Sequence, residues 1–103
     1  GTITSGISDI RLKDKIEKID NALEKIKTLE GFIYKPNELA VSLGIQDSID
    51  VGLSAQDVQK ILPEAVYTEG KYLGLAYGNL MGLIVEAIKD LSGEIDEIKK
   101  RLP

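Results

Sequence analysis

Apolar residues return along this chain with two different periods, and the periods divide it into elements. Between Lys13 and Leu29 the apolar positions Ile16, Ile19, Leu23, Ile26 and Leu29 recur at steps of three and four, which is one face of a helix. Asn21 with Glu24 has the form of a capping box, so the firm part of that helix is expected to begin near Asn21 and to close at Gly31. Phe32 to Lys35 reads as a short strand stopped by Pro36. Asn37 is placed to cap a brief helix through Leu43, with Gly44 closing it. Ile49, Val51 and Leu53 alternate with Asp50 and Gly52 as a second strand, and Ser54 is placed to cap a helix from Ala55 to Leu62 that Pro63 ends. Val66 to Thr68 and Tyr72 to Leu75, flanking Glu69-Gly70-Lys71, have the pattern of a β-hairpin.

The longest regular segment runs from about Gly78 to Leu102. Met81, Ile84, Ile88, Leu91, Ile95, Ile98 and Leu102 step alternately by three and four, a coiled-coil seam. Met81, Ile88, Ile95 and Leu102 take the a positions; Ile84, Leu91 and Ile98 take the d positions. Isoleucine at both shifts the preference from two strands toward three or four. Glu94 at g and Lys99 at the following e are placed to pair between parallel neighbours. The first half of the segment is apolar more widely, through Leu80, Leu83 and Val85, and is expected to pack on the domain. From Ser92 to Arg101 only the narrow seam remains, and a narrow seam calls for a partner helix. The competing arrangement is a monomer whose seam folds back onto its own core. The expected fold class is α+β, mainly helical: a small globular part of short strands and helices plus a long C-terminal helix.

Composition narrows the chemistry. A chain of 103 residues is one domain with a modest core, and with 5 % aromatics and no Trp that core must be aliphatic. Hydrophobic content of 43 % and charged content of 29 % are ordinary for a folded soluble protein. A net charge of −4 argues against a nucleic-acid module, which needs a basic face. The alternating lysines and carboxylates between Lys13 and Lys27 read as a solvated face. No Cys and no His are present, which removes disulfides, thiolate nucleophiles, the usual zinc sites and every His-based triad. Asp57, Glu64, Glu69 and Glu86 fall on different elements and form no metal motif, and no cofactor-binding loop is evident. No apolar run approaches the ~20 residues of a membrane-spanning helix. Gly1-Thr2-Ile3-Thr4 reads as the start of a fragment, and residues 1–8 as an extended tail of whatever precedes the domain.

Acid–base chemistry here falls to lysine, carboxylate or tyrosine. Ser8-Asp9-Ile10-Arg11-Leu12-Lys13 holds a hydroxyl nucleophile and, five residues on, an amine able to take its proton. Such a pair cuts a peptide bond only if desolvation favours the neutral amine. By spacing alone the favoured reading of the stretch is a solvated loop with an ordinary lysine, since such a pair arises readily by chance. If it does react, Ser8 Oγ cannot attack its own carbonyl without closing a four-membered ring. The accessible attack is on the carbonyl of Ile7, an N-to-O acyl shift followed by hydrolysis at Ile7–Ser8.

Several blocks taken together are similar to one family. They are Ser8-Asp9-Ile10-Arg11-Leu12-Lys13, Asn21-Ala22-Leu23-Glu24-Lys25, Val51-Gly52-Leu53-Ser54-Ala55-Gln56-Asp57-Val58 with Pro63-Glu64-Ala65-Val66, and Tyr77 with Leu80 running into Ile84-Val85-Glu86-Ala87-Ile88-Lys89-Asp90-Leu91. Their order and spacing resemble the C-terminal intramolecular chaperone, or auto-processing, domain of phage tailspikes, tail fibres and endosialidases, related to a domain of myelin regulatory factors. The resemblance spans about residues 8 to 91. It departs at Ser54, where an aliphatic residue is more usual, and at Lys18, where proline is common.

The resemblance implies a homotrimer built on the C-terminal coiled coil, holding an upstream β-helical stalk of the same chain in register and then cutting itself off. Residues 1–8 would be the stalk's end and cleavage segment, and 9–103 the chaperone domain with its coiled-coil helix at 78–102. Ser8 and Lys13 stand where the family has its catalytic dyad, and the resemblance favours scission at Ser8–Asp9 rather than Ile7–Ser8. No nucleic acid, membrane, metal or cofactor is implied. Assembly would take place in the cytoplasm of an infected bacterium, with the cleaved domain absent from the mature virion. A non-catalytic trimerisation cap and a receptor-binding fibre tip are the competing readings.

Overall fold

The computed structural model describes residues 6–103; the first part of the expected tail, residues 1–5, lies outside the described residues. The helices are α1 (Ala22–Lys27), α2 (Glu38–Ser42), α3 (Ala55–Ile61) and α4 (Met81–Lys100). The strands are β1 (Phe32–Tyr34), β2 (Asp50–Gly52), β3 (Val66–Glu69) and β4 (Tyr72–Leu75). Short 3-10 turns at Ile10–Leu12, Pro63–Ala65 and Tyr77–Leu80 link them. The result is a small mixed domain of short helices and strands with one longer C-terminal helix.

Local chemistry accounts for most of these boundaries. Asn37 Oδ1 accepts the Ala40 N–H at 2.9 Å, and Ser54 Oγ accepts the Asp57 N–H at 3.3 Å, so both N-caps form as their residue types require. Ser54 is thus the cap of α3. Pro63 then opens a 3-10 turn, a position its missing N–H does not disturb. β3 and β4 pair antiparallel with Glu69 opposite Tyr72. Glu69 therefore belongs to the strand, and the loop is Gly70-Lys71 alone, with Gly70 at φ +62°.

The first helix is shorter than its periodicity predicts. Residues 13–20 have no regular structure. Asn21 takes a left-handed conformation, φ 49° and ψ 36°, which Asn tolerates better than most residues, and its side chain makes no cap bond. The expected capping box therefore does not form. A cap comes from far along the chain instead: Asp90 Oδ2 on α4 accepts the Leu23 N–H at 3.2 Å. The left-handed residue breaks the face, so Ile19 packs on the core from outside the helix while Ile16 is left 94 % exposed. Thr28 rather than Gly31 ends α1, its hydroxyl donating back to the Lys25 carbonyl at 2.7 Å.

The core is narrow. Ala22, Val58, Ala65, Leu80, Leu83 and Ala87 are buried, with Ile19, Ile26, Leu29, Leu53, Ile61, Leu62, Val66 and Leu75 packed around them. Leu83 and Ala87, one helical turn apart on α4, present that helix's buried stripe to α1. Val85, expected to join them, is exposed because it lies on the opposite side of the same turn. Gly78 and Leu80 belong to the 3-10 turn, so α4 proper begins at Met81.

β1 and β2 pair antiparallel, Phe32 opposite Gly52, and with α2 they project from the core. Their facing residues Ile33 and Val51 stay 75 % and 68 % exposed. At the foot of this arm Gly52 is buried beneath two rings. A Cβ there would stand 2.9 Å from Tyr77 Oη and 3.2 Å from Tyr34 Cε1. Burial, with Asp50 and Tyr77 close by, pushes the Tyr34 hydroxyl above its ordinary value. The molecule measures 60 × 41 × 21 Å with a radius of gyration of 17.9 Å, against ~13 Å for a compact chain of this length.

Leu83 is the largest fully buried side chain. Leu83→Ala should lower stability by about 2–5 kcal/mol, through lost burial and the cavity left behind. A urea-unfolding midpoint that does not move would show that the stripe is not the core.

Candidate active site

The segment around Ser8 owes its shape to the residues within it. Asp9 is extended, φ −68° and ψ 130°, and caps the 3-10 turn Ile10–Leu12. Lys13 is extended again at φ −125° and ψ 134°. Backbone bonds from Leu12 N–H to the Asp9 carbonyl, 3.0 Å, and from Lys13 N–H to the Ile10 carbonyl, 3.2 Å, close the turn. One turn of helix between extended residues folds the chain back on itself. The ends of the block meet as a result: Lys13 Nζ donates to Ser8 Oγ at 2.5 Å, at the short limit for such a contact.

Asp9 and Arg11 form the second half of the site. Asp9 Oδ1 accepts the Arg11 backbone N–H at 2.8 Å and Arg11 Nε at 3.1 Å. Its Oδ2 accepts Arg11 Nη2 at 2.9 Å and Nε at 3.3 Å. This is a fork-on-carboxylate pair made within one turn. The side-chain bond to Arg11, and after it the bond from the Arg11 backbone, hold the Asp9 carboxyl below its ordinary value; the same pairing raises Arg11. The side chains are 39 % and 85 % exposed, so solvent screens the pair and its contribution to stability is small.

Chemically, the arrangement offers a hydroxyl with an amine in hydrogen-bond contact. In the charged form the amine donates to Ser8 Oγ; in the neutral form its lone pair faces the Oγ proton. Both residues are exposed, and so are the flanking apolar residues Ile7, Ile10 and Leu12. Among the described residues no group of His, Cys, Asp or Glu is arranged to hold a metal ion, and no helix is long and apolar enough to cross a membrane.

The other predicted residues lie elsewhere. Met81, Ile84, Ile88, Leu91, Ile95 and Ile98 run along α4, and Leu102 follows just past its end. All are exposed, between 39 % and 65 %. Leu23, Ile26 and Ala87 join Ile84, Ile88 and Leu91 in lining a shallow apolar groove between α1 and α4. Lys18 stands 3.8 Å from Glu86 of α4, which Lys89 also approaches at 3.4 Å. Sequence reading missed the Asp9–Arg11 clasp. Its one signal was an Asp ahead of a turn with a basic residue two positions on, which becomes a pair only once the turn exists.

The depressed Asp9 carboxyl gives a pH signature. Such a group stabilises the capped turn above its unfolded value of ~3.9, and that contribution is lost as pH falls through the lower folded value. Arg11→Gln should move the Asp9 midpoint back up toward the ordinary carboxylate range in a carbon-detected NMR titration. A midpoint that stays depressed without the guanidinium would assign the shift to something else.

A family profile described as "Chaperone of endosialidase" matches residues 8–67. The long tail fiber protein Gp37 of Enterobacteria phage T2 is 39 % identical over 100 residues, covering 92 % of this chain and 7 % of that protein. Myelin gene regulatory factor-like A of Dictyostelium discoideum is 32 % identical over 111 residues, covering 92 % of this chain and 12 % of that protein. Myelin regulatory factor homolog 1 of Caenorhabditis elegans is 37 % identical over 105 residues, covering 87 % and 11 %. The chain thus spans only a small part of the length of these relatives. It belongs to the endosialidase-chaperone peptidase family, found in phage tail-fibre and myelin-regulatory-factor-like proteins.

Proposed function

As a member of that family, this chain acts, we propose, as an intramolecular chaperone that trimerises, registers an upstream fibre or tailspike stalk, and then cuts itself free with Ser8 and Lys13. The observation that carries the reading is the contact of Lys13 Nζ with Ser8 Oγ at 2.5 Å, at the head of the segment that matches the family. Residues 1–8 end the stalk and carry the cleavage segment, and 9–103 form the chaperone domain. The setting is the assembly of a phage fibre in the cytoplasm of an infected bacterium, in keeping with the long tail fiber relatives. The cleaved domain is absent from the mature particle.

Physical reasons favour a trimer. A seam of Ile, Leu and Met is left in water along α4, and isoleucine at a and d suits three strands. The groove between α1 and α4 can receive a seam side chain of a neighbouring copy. A radius of gyration well above the compact value leaves apolar surface that one chain does not cover. Intertwined stalks have highly non-local contacts and fold slowly, so bringing three chains together first converts a three-body encounter into an intramolecular one. Removing the clamp afterwards leaves a product held by its unfolding barrier.

The cut falls at Ser8–Asp9 by the family resemblance. At that bond the dyad activates water: Lys13 accepts a proton through Ser8 Oγ, hydroxide adds to the Ser8 carbonyl, and the proton passes to the departing Asp9 amine. Ring size favours a second reading, in which Oγ attacks the Ile7 carbonyl. The proton passes through Lys13 to the Ser8 amine, and water then hydrolyses the ester. Sequencing the released domain separates these, since it begins at Asp9 in one case and Ser8 in the other.

Ser8→Ala and Lys13→Ala should each abolish self-cleavage while leaving the trimer intact, because neither residue lies on the seam. Lys13→Arg should fail as well, since a guanidinium stays charged and cannot accept the proton. Denaturing electrophoresis of the chain with its stalk shows two bands when it cuts and one when it does not. A single band from the unmodified chain would favour a trimerisation cap or a fibre tip.

Ile95→Asp with Ile98→Asp should convert the trimer to monomer, because carboxylates without partners at the seam cost several kcal/mol. Sedimentation reads the assembly state. Desolvation of Lys13 on this reading comes from a neighbouring subunit, so the monomeric variant should cut slowly, and faster as its concentration rises. Cleavage at the unmodified rate at every concentration would show that each chain holds a complete site.

A further inference from the structure

The side chains of Asp9 and Arg11 have no part in the proton transfer, yet they shape the segment that makes it possible. This inference rests on the proposed dyad and adds to it. Two features of the turn are separable. The first is its closure: Asp9 Oδ1 caps the turn through the Arg11 N–H at 2.8 Å, and the capped turn carries Lys13 back over Ser8. Without that cap, residues 8 and 13 are joined by flexible, exposed chain with nothing packed on it to hold them together, since the turn contains no buried residue.

The second feature is electrostatic. Asp9 follows Ser8 directly, as Asp14 follows Lys13, and a free carboxylate beside an amine favours the charged amine, which is no base. In the structure that carboxylate is already engaged, with Arg11 Nε and Nη2 occupying both oxygens at 2.9–3.3 Å. Lys13 makes its side-chain bond to Ser8 and none to Asp9. The other charges on this stretch are Asp14 and Lys15, of opposite sign and adjacent to one another. Among the described residues no ion pair links another element to Lys13.

We propose that Asp9 and Arg11 are the positioning residues of the dyad: Asp9 folds Lys13 onto Ser8, and Arg11 clasps the Asp9 carboxylate so that it does not pair with Lys13. Each half predicts its own effect. Losing the cap reduces the fraction of chains with the two side chains in contact, and slows cutting at every pH. Losing the clasp leaves the turn capped and frees a negative charge toward the amine, which moves the pH dependence instead.

The test is the rate of self-cleavage against pH in the full chain with its stalk, for Asp9→Ala, Asp9→Asn and Arg11→Gln, with Ser8→Ala as control and sedimentation to report assembly. Asp9→Ala should lower the maximal rate of cutting about fivefold to tenfold, the population cost of one lost side-chain cap, on a profile moved to lower pH by the lost carboxylate charge. Asp9→Asn keeps an oxygen for the Arg11 N–H and should recover most of that loss. Its profile should move to lower pH, because the Arg11 charge is then unbalanced near the amine. Arg11→Gln should move the profile to higher pH. Opposite displacements in these two variants would not arise from a general loss of structure, and they remain readable if Asp9→Ala fails to assemble. Profiles that coincide with the unmodified chain's for Asp9→Asn and Arg11→Gln, while Ser8→Ala stays uncut, would overturn this inference and leave the dyad standing. Cutting of Ser8→Ala at the full rate would overturn the dyad itself.

Discussion

One helix with two apolar faces is the constraint on which this domain depends. Leu83 and Ala87 of α4, with Leu80 just ahead of it, close the only buried cluster among the described residues. A second face, Met81 through Ile98, borders that cluster along the groove with α1 and is left exposed to water. α1 is six residues long, far below the ~12–15 at which an isolated helix becomes marginal, so it exists because α4 lies against it. The tie is polar as well as apolar, because Asp90 of α4 supplies the bond that the first turn of α1 lacks locally. Moving α4 would therefore undo the first helix, the groove beside it and the cluster together.

Elements built from local chemistry were legible in the sequence. Asn37 and Ser54 are caps in the structure because an Asx or hydroxyl side chain three residues ahead of an orphan N–H has few better partners. The hairpin and the long helix followed from period and from Gly70. What failed to show was whatever depended on residues distant in sequence. Asn21 and Glu24 look like a capping box, but the cap of α1 comes from 67 positions away, and no local pattern announces it. The period from Ile16 to Leu29 promised a helix that the left-handed Asn21 interrupts. At the site, the residue types and spacing of Ser8 and Lys13 could be read directly. The role of Arg11 could not, because residues two apart do not face each other in a regular helix and meet here only through side chains wrapped around a capped turn.

The geometry of the proposed dyad is local, whereas its activation, on the proposed reading, is not. The bonds that close the turn and the contact of Lys13 Nζ with Ser8 Oγ all lie within residues 8–13. The described chain nonetheless offers nothing that covers the Lys13 amine. On the proposed reading the missing component is desolvation, and the uncovered apolar residues Ile7, Ile10 and Leu12 mark where a covering surface would sit. Separating geometry from desolvation would give the proposed chaperone its timing. A turn that forms early would then wait uncut until neighbouring chains arrive.

Under the proposed mechanism the same arrangement would limit the reaction to one event. If the bond between Ser8 and Asp9 breaks, Ser8 departs with the stalk and Lys13 stays with the domain, so neither half retains both members of the pair. The new amine on Asp9 is also a cation beside the carboxylate that caps the turn, and it competes there with Arg11. Cutting at Ile7–Ser8 would leave Ser8 and Lys13 on one fragment, with the turn intact and the site still assembled. The two bonds thus differ in what they leave behind. Scission after Ser8 would dismantle the proposed catalyst, and the released domain would then have no means of attacking the fibre it had completed.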